Sequence, residues 1–232
     1  MEIISNVHLI DNTTSHCYLL VDKELTLIDT GFPFYINKIL RYITNELDRK
    51  PSELKTIILT HGDIDHSGNA LRLKKITGAS IAIHEKDADV IARRTARMFP
   101  TSRIGFLLKF FNKRMTTPFE VDYRLSEGDV MSGLTVIHIP GHSPGSIALH
   151  DINRKILFTG DTLSYRDGYV KGPSKRYSMD IQQAFQSIQK YSTLDFNIML
   201  AGHGDPLLVD ASLKVKQYLK KNNVLFYFLY IQ

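Results

Sequence analysis

Apolar positions in the first third of the chain fall into short runs of strand length. Ile3–Ile10, Cys17–Val21 and Leu25–Ile28 are apolar or alternating, and polar turns such as Asp11-Asn12-Thr13 and Asp22-Lys23 separate them. The period then changes. Ile36, Ile39, Leu40, Ile43 and Leu47 recur at three- and four-residue spacing and predict a helix. Leu54–Leu59 reads as a buried strand. Ala70, Leu71, Leu73 and Ile76 predict a helix with Ser67 as its cap and Gly78 as its stop, and Ser80–His84 a further strand. Strands return at Leu134–Ile139, Ser146–His150 and Lys155–Phe158. A helix from about Met179 to Tyr191, a strand at Asn197–Leu200 and a helix from about Val209 to Lys221 follow. The apolar run Val224–Ile231 reads as a last strand, or as a tail that docks on the core or on a second copy of the chain.

No Pro/Gly/Ser tract divides the pattern, so one domain is expected over residues 1–232. The stretch at about 85–118 differs from the rest, being helical in pattern and basic. It carries Phe106, Leu107, Phe110 and Phe111, which read as a wall of an apolar pocket, a dimer contact or core. With 43% hydrophobic and 23% charged residues the chain has material for a sizeable core, which excludes global disorder. No run reaches the ~20 apolar residues of a membrane span, and the N-terminus lacks a signal-peptide pattern. Cys17, the one cysteine, excludes an internal disulfide framework and a thiolate zinc cluster. It lies in an apolar run, reads as a core thiol and fits a reducing compartment, so a cytoplasmic location is expected. The net charge of +5 is partly local, with Arg93, Arg94, Arg97, Arg103, Lys109, Lys113 and Arg114 in one stretch. That stretch reads either as a solvated helical face or as a surface for an anion.

Candidate chemistry sits just past the strand ends. Thr60-His61-Gly62-Asp63-Ile64-Asp65-His66 follows an apolar run. Gly141-His142-Ser143, Gly160-Asp161-Thr162 and Gly202-His203-Gly204 recur later. A buried cluster of imidazoles and carboxylates is costly to desolvate unless a cation holds it. Divalent metals take imidazole nitrogen and carboxylate oxygen. The candidate ligands are therefore His61, Asp63, Asp65, His66, His142, Asp161 and His203, and two neighbouring divalent metals are expected. The alternate spacing of 61, 63 and 65 suggests an extended turn that sends those side chains one way. Asp161, with two oxygens, is the natural bridge between the metals. His8, His16, His84, His138 and His150 lack such neighbours and are read as structural.

These residues, with Asp29 in Ile-Asp-Thr-Gly, resemble the metallo-β-lactamase superfamily over nearly the whole chain and in the family's motif order. The resemblance implies an α/β fold, a four-layer αβ/βα sandwich with metals at one edge between two sheets. It implies that His61, position 63, His142 and Asp161 hold one metal, and that Asp65, His66, Asp161 and His203 hold the other. Asp29 would stand behind them and fix the first loop. Position 63 departs from the family, whose usual residue there is histidine. With aspartate, three carboxylates and a bridging hydroxide would neutralise two divalent cations. Zinc is the expected metal, and the oxygen-rich set lets iron or manganese compete.

The implied activity is metal-dependent hydrolysis of a small thioester, lactone or other ester by a metal-bound hydroxide, similar to glyoxalase-II-like and lactonase-like members. The carry-over is weakened for glutathione thioesters, because no C-terminal helical domain follows the last motif. Asp65 is the candidate proton acceptor and Tyr165 the candidate oxyanion donor. Lys171, Lys175 and Arg176 are candidate contacts for an anionic substrate, or solvated surface. Other readings stay open. One is a phosphodiesterase or nuclease acting on RNA or a nucleotide, disfavoured by the lack of an inserted clamping domain. The other is a non-hydrolytic iron protein for redox work or binding. The partner expected is a small molecule, not a membrane, with a homodimer left open.

Overall fold

The computed structural model describes residues 1–95 and 117–230. A seven-stranded sheet runs in chain order through β1 (Glu2–Ile4), β2 (Val7–Ile10), β3 (Cys17–Val21), β4 (Leu25–Ile28), β5 (Leu54–Leu59), β6 (Ser80–His84) and β7 (Tyr123–Leu125). A five-stranded sheet has the order β14 (Ile198–Ala201), β11 (Ile156–Gly160), β10 (Ile147–Asp151), β9 (Leu134–His138), β8 (Val130–Met131). A small ribbon pairs β12 (Ser164–Arg166) with β13 (Tyr169–Lys171).

Side chains point alternately to the two faces of a strand, and that alternation builds the layers. Tyr18, Leu20, Ile28, Ile58 and Ala82 of the first sheet meet Val136, Leu149, Phe158 and Leu200 of the second in a core between the sheets. Their neighbours Cys17, Leu19, Leu27, Ile57 and Ile83 face outward, against α1 (Ile36–Arg41) and α3 (Ala70–Thr77). On the far side, Ile137, Ala148, Leu157 and Met199 pack against the segment after α5 (Ile181–Ser187) and against α6 (Ala211–Tyr230). The order of layers is helix, sheet, sheet, helix, the αβ/βα sandwich that the resemblance implies. Each fully buried Leu or Ile contributes roughly 1.5–3 kcal/mol, so both faces of both sheets are stabilised by strands buried on both sides.

Several sequence expectations shift. The run Ile3–Ile10 is a hairpin of two strands with Asn6 in a left-handed turn (φ 61°). Ser67 does not cap α3. It ends the short α2 (Ile64–Ser67), and its hydroxyl donates back to the carbonyls of Gly62 and Asp63. Asn69 stands before α3 instead, its amide nitrogen tied to the carbonyls of Thr30 and Phe32. Val224–Tyr230 is no strand, because it continues α6. Within 85–118, helix α4 covers Glu85–Ile91. Arg97, Arg103, Lys109, Lys113, Arg114 and the apolar residues Phe106, Leu107, Phe110 and Phe111 lie outside the described residues. Cys17 is a free, fully buried thiol whose pKa burial pushes up to about 12.

Candidate metal centre

Two sets of parallel strands aim their carboxyl ends at one edge of the sandwich. In the first sheet β4, β5 and β6 run parallel, and in the second β11 and β14 do. Ligands in open α/β sheets gather outside such ends. Here β4 delivers Asp29, β5 delivers Thr60 and His61, β11 delivers Asp161 and β14 delivers His203. His142 comes from the loop between β9 and β10. Backbone bonds join the pieces: Ile147 N donates to Thr60 O, and Gly202 N to Gly160 O.

Position 63 precedes α2 with extended backbone, and 64–67 turn into the helix. The expected extended run through 61, 63 and 65 therefore stops at Asp63, and a helical turn presents Asp65 and His66. This sends Asp63 one way and Asp65 the other. Asp63 Oδ2 lies 3.3 Å from His142 Nε2 and 3.6 Å from His61 Nε2, and the two Nε2 atoms are 3.2 Å apart. On the opposite side Asp65 Oδ2 lies 3.4 Å from His203 Nε2 and 3.9 Å from His66 Nε2. Asp161 sits between the groups. Its Oδ1 is 3.2 Å from His66 Nε2, and its Oδ2 is 3.5 Å from His203 Nε2 and 3.9 Å from His142 Nε2. Two groups can each close on an ion: His61, His142 and Asp161, and Asp65, His66 and His203.

The hydrogen bonds behind the cluster fix which nitrogens face it. Asp29 accepts from Thr60 N, Thr60 Oγ1 and His66 Nδ1, each at 2.8 Å. Thr60 thus spends its proton on Asp29, so His61 Nδ1, 3.1 Å from that hydroxyl, must be the donor there. Both His61 and His66 thus turn Nε2 inward. Buried His66 Nε2 and Asp161 Oδ1 face each other at 3.2 Å, yet neither makes a hydrogen bond of good geometry. Unsatisfied buried atoms of this kind are rare and call for a reason, and a divalent cation in a nitrogen and oxygen donor set supplies one. The residues fit the group. Asp29 itself is held in the left-handed region (φ 59°), which aspartate tolerates better than most residues.

Charges follow the same logic. Burial pushes the His66 imidazole toward its neutral form, but Asp161, Asp29 and Asp65 outweigh it and hold the pKa well above the usual value. Burial raises Asp161 while His66 and His203 pull harder, keeping it well below the carboxylate range. Burial also lowers His203, yet Asp161 and Asp65 lift it to about 9. The cluster is built for positive charge. Gly202 leaves room for it: a Cβ there would stand 2.5 Å from Asp161 Oδ1 and 2.6 Å from His66 Cε1.

The described contacts of Tyr165 lie elsewhere: its hydroxyl is 3.3 Å from Lys214 Nζ and its ring packs beside the outer core. Lys171 lies over the Tyr169 ring and Arg176 over the Tyr177 ring at the surface. Asp87 went unread in the sequence. This buried carboxylate of α4 accepts from Gly62 N (2.8 Å), Ser143 Oγ (2.7 Å) and Gly145 N (2.7 Å). It therefore ties the loop of His61 and Asp63 to the loop of His142. A first-turn acid after β6 was its only visible signal.

A αβ/βα sandwich with a two-centre nitrogen and oxygen donor set at the sheet edge defines a metallohydrolase-type protein. Residues 10–203 match the family model of the metallo-beta-lactamase superfamily, and the chain belongs to that superfamily. It is 28% identical over 234 aligned residues to hydroxyacylglutathione hydrolase GloC of Haemophilus influenzae, covering 94% of this chain and 100% of that one. It is 34% identical over 120 residues to the human acyl-coenzyme A thioesterase MBLAC2, a match over 46% of this chain and 40% of that one. Among solved structures, the subclass B3 metallo-beta-lactamase BJP-1 of Bradyrhizobium japonicum superposes with a TM-score of 0.72 at 22% identity. That superposition covers 97% of this chain and 91% of that one. No helix among the described residues is long and apolar enough to cross a membrane.

Proposed function

We propose that this chain hydrolyses small thioesters. Family membership makes it a metal-dependent hydrolase, and the thioester is the finer reading. The carrying observation is the convergence of the Nε2 atoms of His61, His66, His142 and His203 on the carboxylates of Asp63, Asp65 and Asp161. In this reading His61, Asp63, His142 and Asp161 hold one ion, and Asp65, His66, His203 and Asp161 the other. Divalent cations there supply a water acidic enough to attack near neutral pH and a charge that polarises the substrate carbonyl.

The chain's own groups do the rest. Asp29 orients His66 and, through Thr60, His61, so that both offer Nε2 without rearrangement. Asp65, its Oδ2 facing His203, remains ionised and is the carboxylate placed to take the proton that water loses. A thioester suits a site in which no acid for the leaving group is identified among the candidate ligands. A thiolate leaves with little acid assistance, since thiols ionise near pH ~8.5. The relatives named for hydroxyacylglutathione and acyl-coenzyme A hydrolysis support the same bond.

Hydrolysis of S-D-lactoylglutathione and acetyl-coenzyme A by protein purified without chelator tests the reading. Metal-dependent turnover at least a hundredfold above a metal-stripped sample is expected. Metal-loaded protein that cleaves lactones or phosphodiesters but neither thioester overturns it.

A further inference from the structure

The cluster does not account for the pocket that opens beside it. Asn12, Thr14, His16, Tyr35 and Arg166 surround His203 in a depression of about 430 Å³. Its lining is polar, and no carboxylate lines it. Arg166 is placed there by backbone. β12 bridges to the loop of His203 through Tyr165 and Gly204, and Asp205 N donates to Tyr165 O at 2.8 Å. Gly204 makes this possible. It adopts φ 94°, and a Cβ at that position would stand 2.5 Å from Tyr165 O and 3.0 Å from Arg166 Cγ. With no side chain at 204, the arm of Arg166 lies across the backbone next to a candidate ligand.

Four other arginines among the described residues are held in ion pairs. Arg49 binds Glu53, Arg94 binds Glu120, Arg124 binds Asp89 and Arg154 binds Asp151. The Arg166 backbone pairs with Tyr169 in the ribbon, but its guanidinium makes no ion pair or hydrogen bond among the described residues, although Asp167 adjoins it in sequence. A guanidinium fixed at its base, with its fork unused, is suited to bidentate capture of a carboxylate or phosphate. His16 adds a fixed wall, because its Nδ1 is engaged by Ala201 O and Tyr18 Oη at 3.1 and 3.2 Å.

We propose that Arg166 is a specificity residue, and that this pocket reads an oxyanion of the substrate, a carboxylate or a phosphate, while the reacting carbonyl lies at the metal edge. The inference rests on the thioester reading for its substrates. It is tested by comparing wild type, Arg166→Ala and Arg166→Lys, each checked for metal content and thermal melting. The substrates are S-D-lactoylglutathione (carboxylates on the thiol), acetyl-coenzyme A (phosphates on the thiol), succinyl-N-acetylcysteamine (carboxylate on the acyl group) and neutral acetyl-N-acetylcysteamine.

In Arg166→Ala the kcat/KM preference for one anionic class over the neutral thioester should fall roughly ten- to hundredfold, mostly through KM. Those are the magnitudes of a lost charge-assisted contact. Lysine should restore part of the preference, and the class affected identifies where the anion sits. An unchanged preference overturns the proposal. If wild type cleaves no thioester, the thioester reading fails by itself. Arg166 is then judged by calorimetric binding of glutathione and coenzyme A: weaker binding by Arg166→Ala keeps the anion pocket, and equal binding or none to either protein removes it.

Discussion

Asp63 stands where the superfamily resemblance leads one to expect histidine, and its carboxylate faces His61 and His142. Imidazole suits zinc, whereas an added carboxylate favours harder ions. Asp63→His should bind zinc roughly tenfold more tightly in a competition titration against a chelator. Equal or weaker binding would show that the carboxylate does not depress zinc affinity. The candidate ligands that the fold brings together were readable because each lies in a short local motif, one strand end at a time. Asp87 was not, because its partners are 25 and 58 residues away and only the packing of α4 brings them to it. Deleting its carboxylate would remove the acceptor of two backbone N–H groups, of Gly62 and Gly145, at about 1–3 kcal/mol each. Tyr165 shows the opposite limit: its spacing from Asp161 is local, but nothing local tells that its hydroxyl meets Lys214.

At the scale of elements, His84 links β6 to α4. Its Nδ1 accepts from Lys86 N and caps the helix, and its ring stacks on His138 with centroids 3.9 Å apart. Burial and the facing His138 push its pKa down from 6.5 to about 4. Below pH 6.5 the unfolded chain binds a proton that the folded chain refuses, so stability falls as pH drops from 6.5 towards 4 and then levels. His84→Asn keeps a capping acceptor and removes the titration. Its melting temperature should therefore vary less than that of wild type across that window. Equal slopes in thermal melts at pH 4.5, 5.5 and 6.5 would rule the histidine out as a source. Most elements were legible from period alone, including Gly78, which ends α3 in a left-handed conformation. The apolar end of the chain was not. Aromatic and β-branched residues at 224–230 look strand-like alone, yet they continue a helix begun at Ala211, and continuation costs less than nucleating a new element. The ribbon of β12 and β13 also escaped notice, too short for a period to show.

Across the whole molecule, the donors come from both sheets. His61, Asp63, Asp65 and His66 are attached to the seven-stranded sheet, and His142, Asp161 and His203 to the five-stranded one. Ions bound to both would join the halves beyond what the core between them achieves. Binding to the folded state alone stabilises it by ~2.7 kcal/mol per site at a hundredfold excess over Kd. At ~2–4 °C per kcal/mol for a chain of this size, metal removal should lower the melting temperature by roughly 10–20 °C if both sites empty. Calorimetry of chelated and reloaded protein reads this directly, and coincident melts would mean that the ions do not span the sheets.

The order of the donors along the chain sets a schedule for biosynthesis. His61, Asp63, His142 and Asp161 have all been made by residue 161, but the group of Asp65 and His66 waits for His203. A nascent chain could therefore grip its first ion while the strand that carries His203 is still being made. If both groups hold ions, the second site could fill only after β14 has been made and has docked, late in folding.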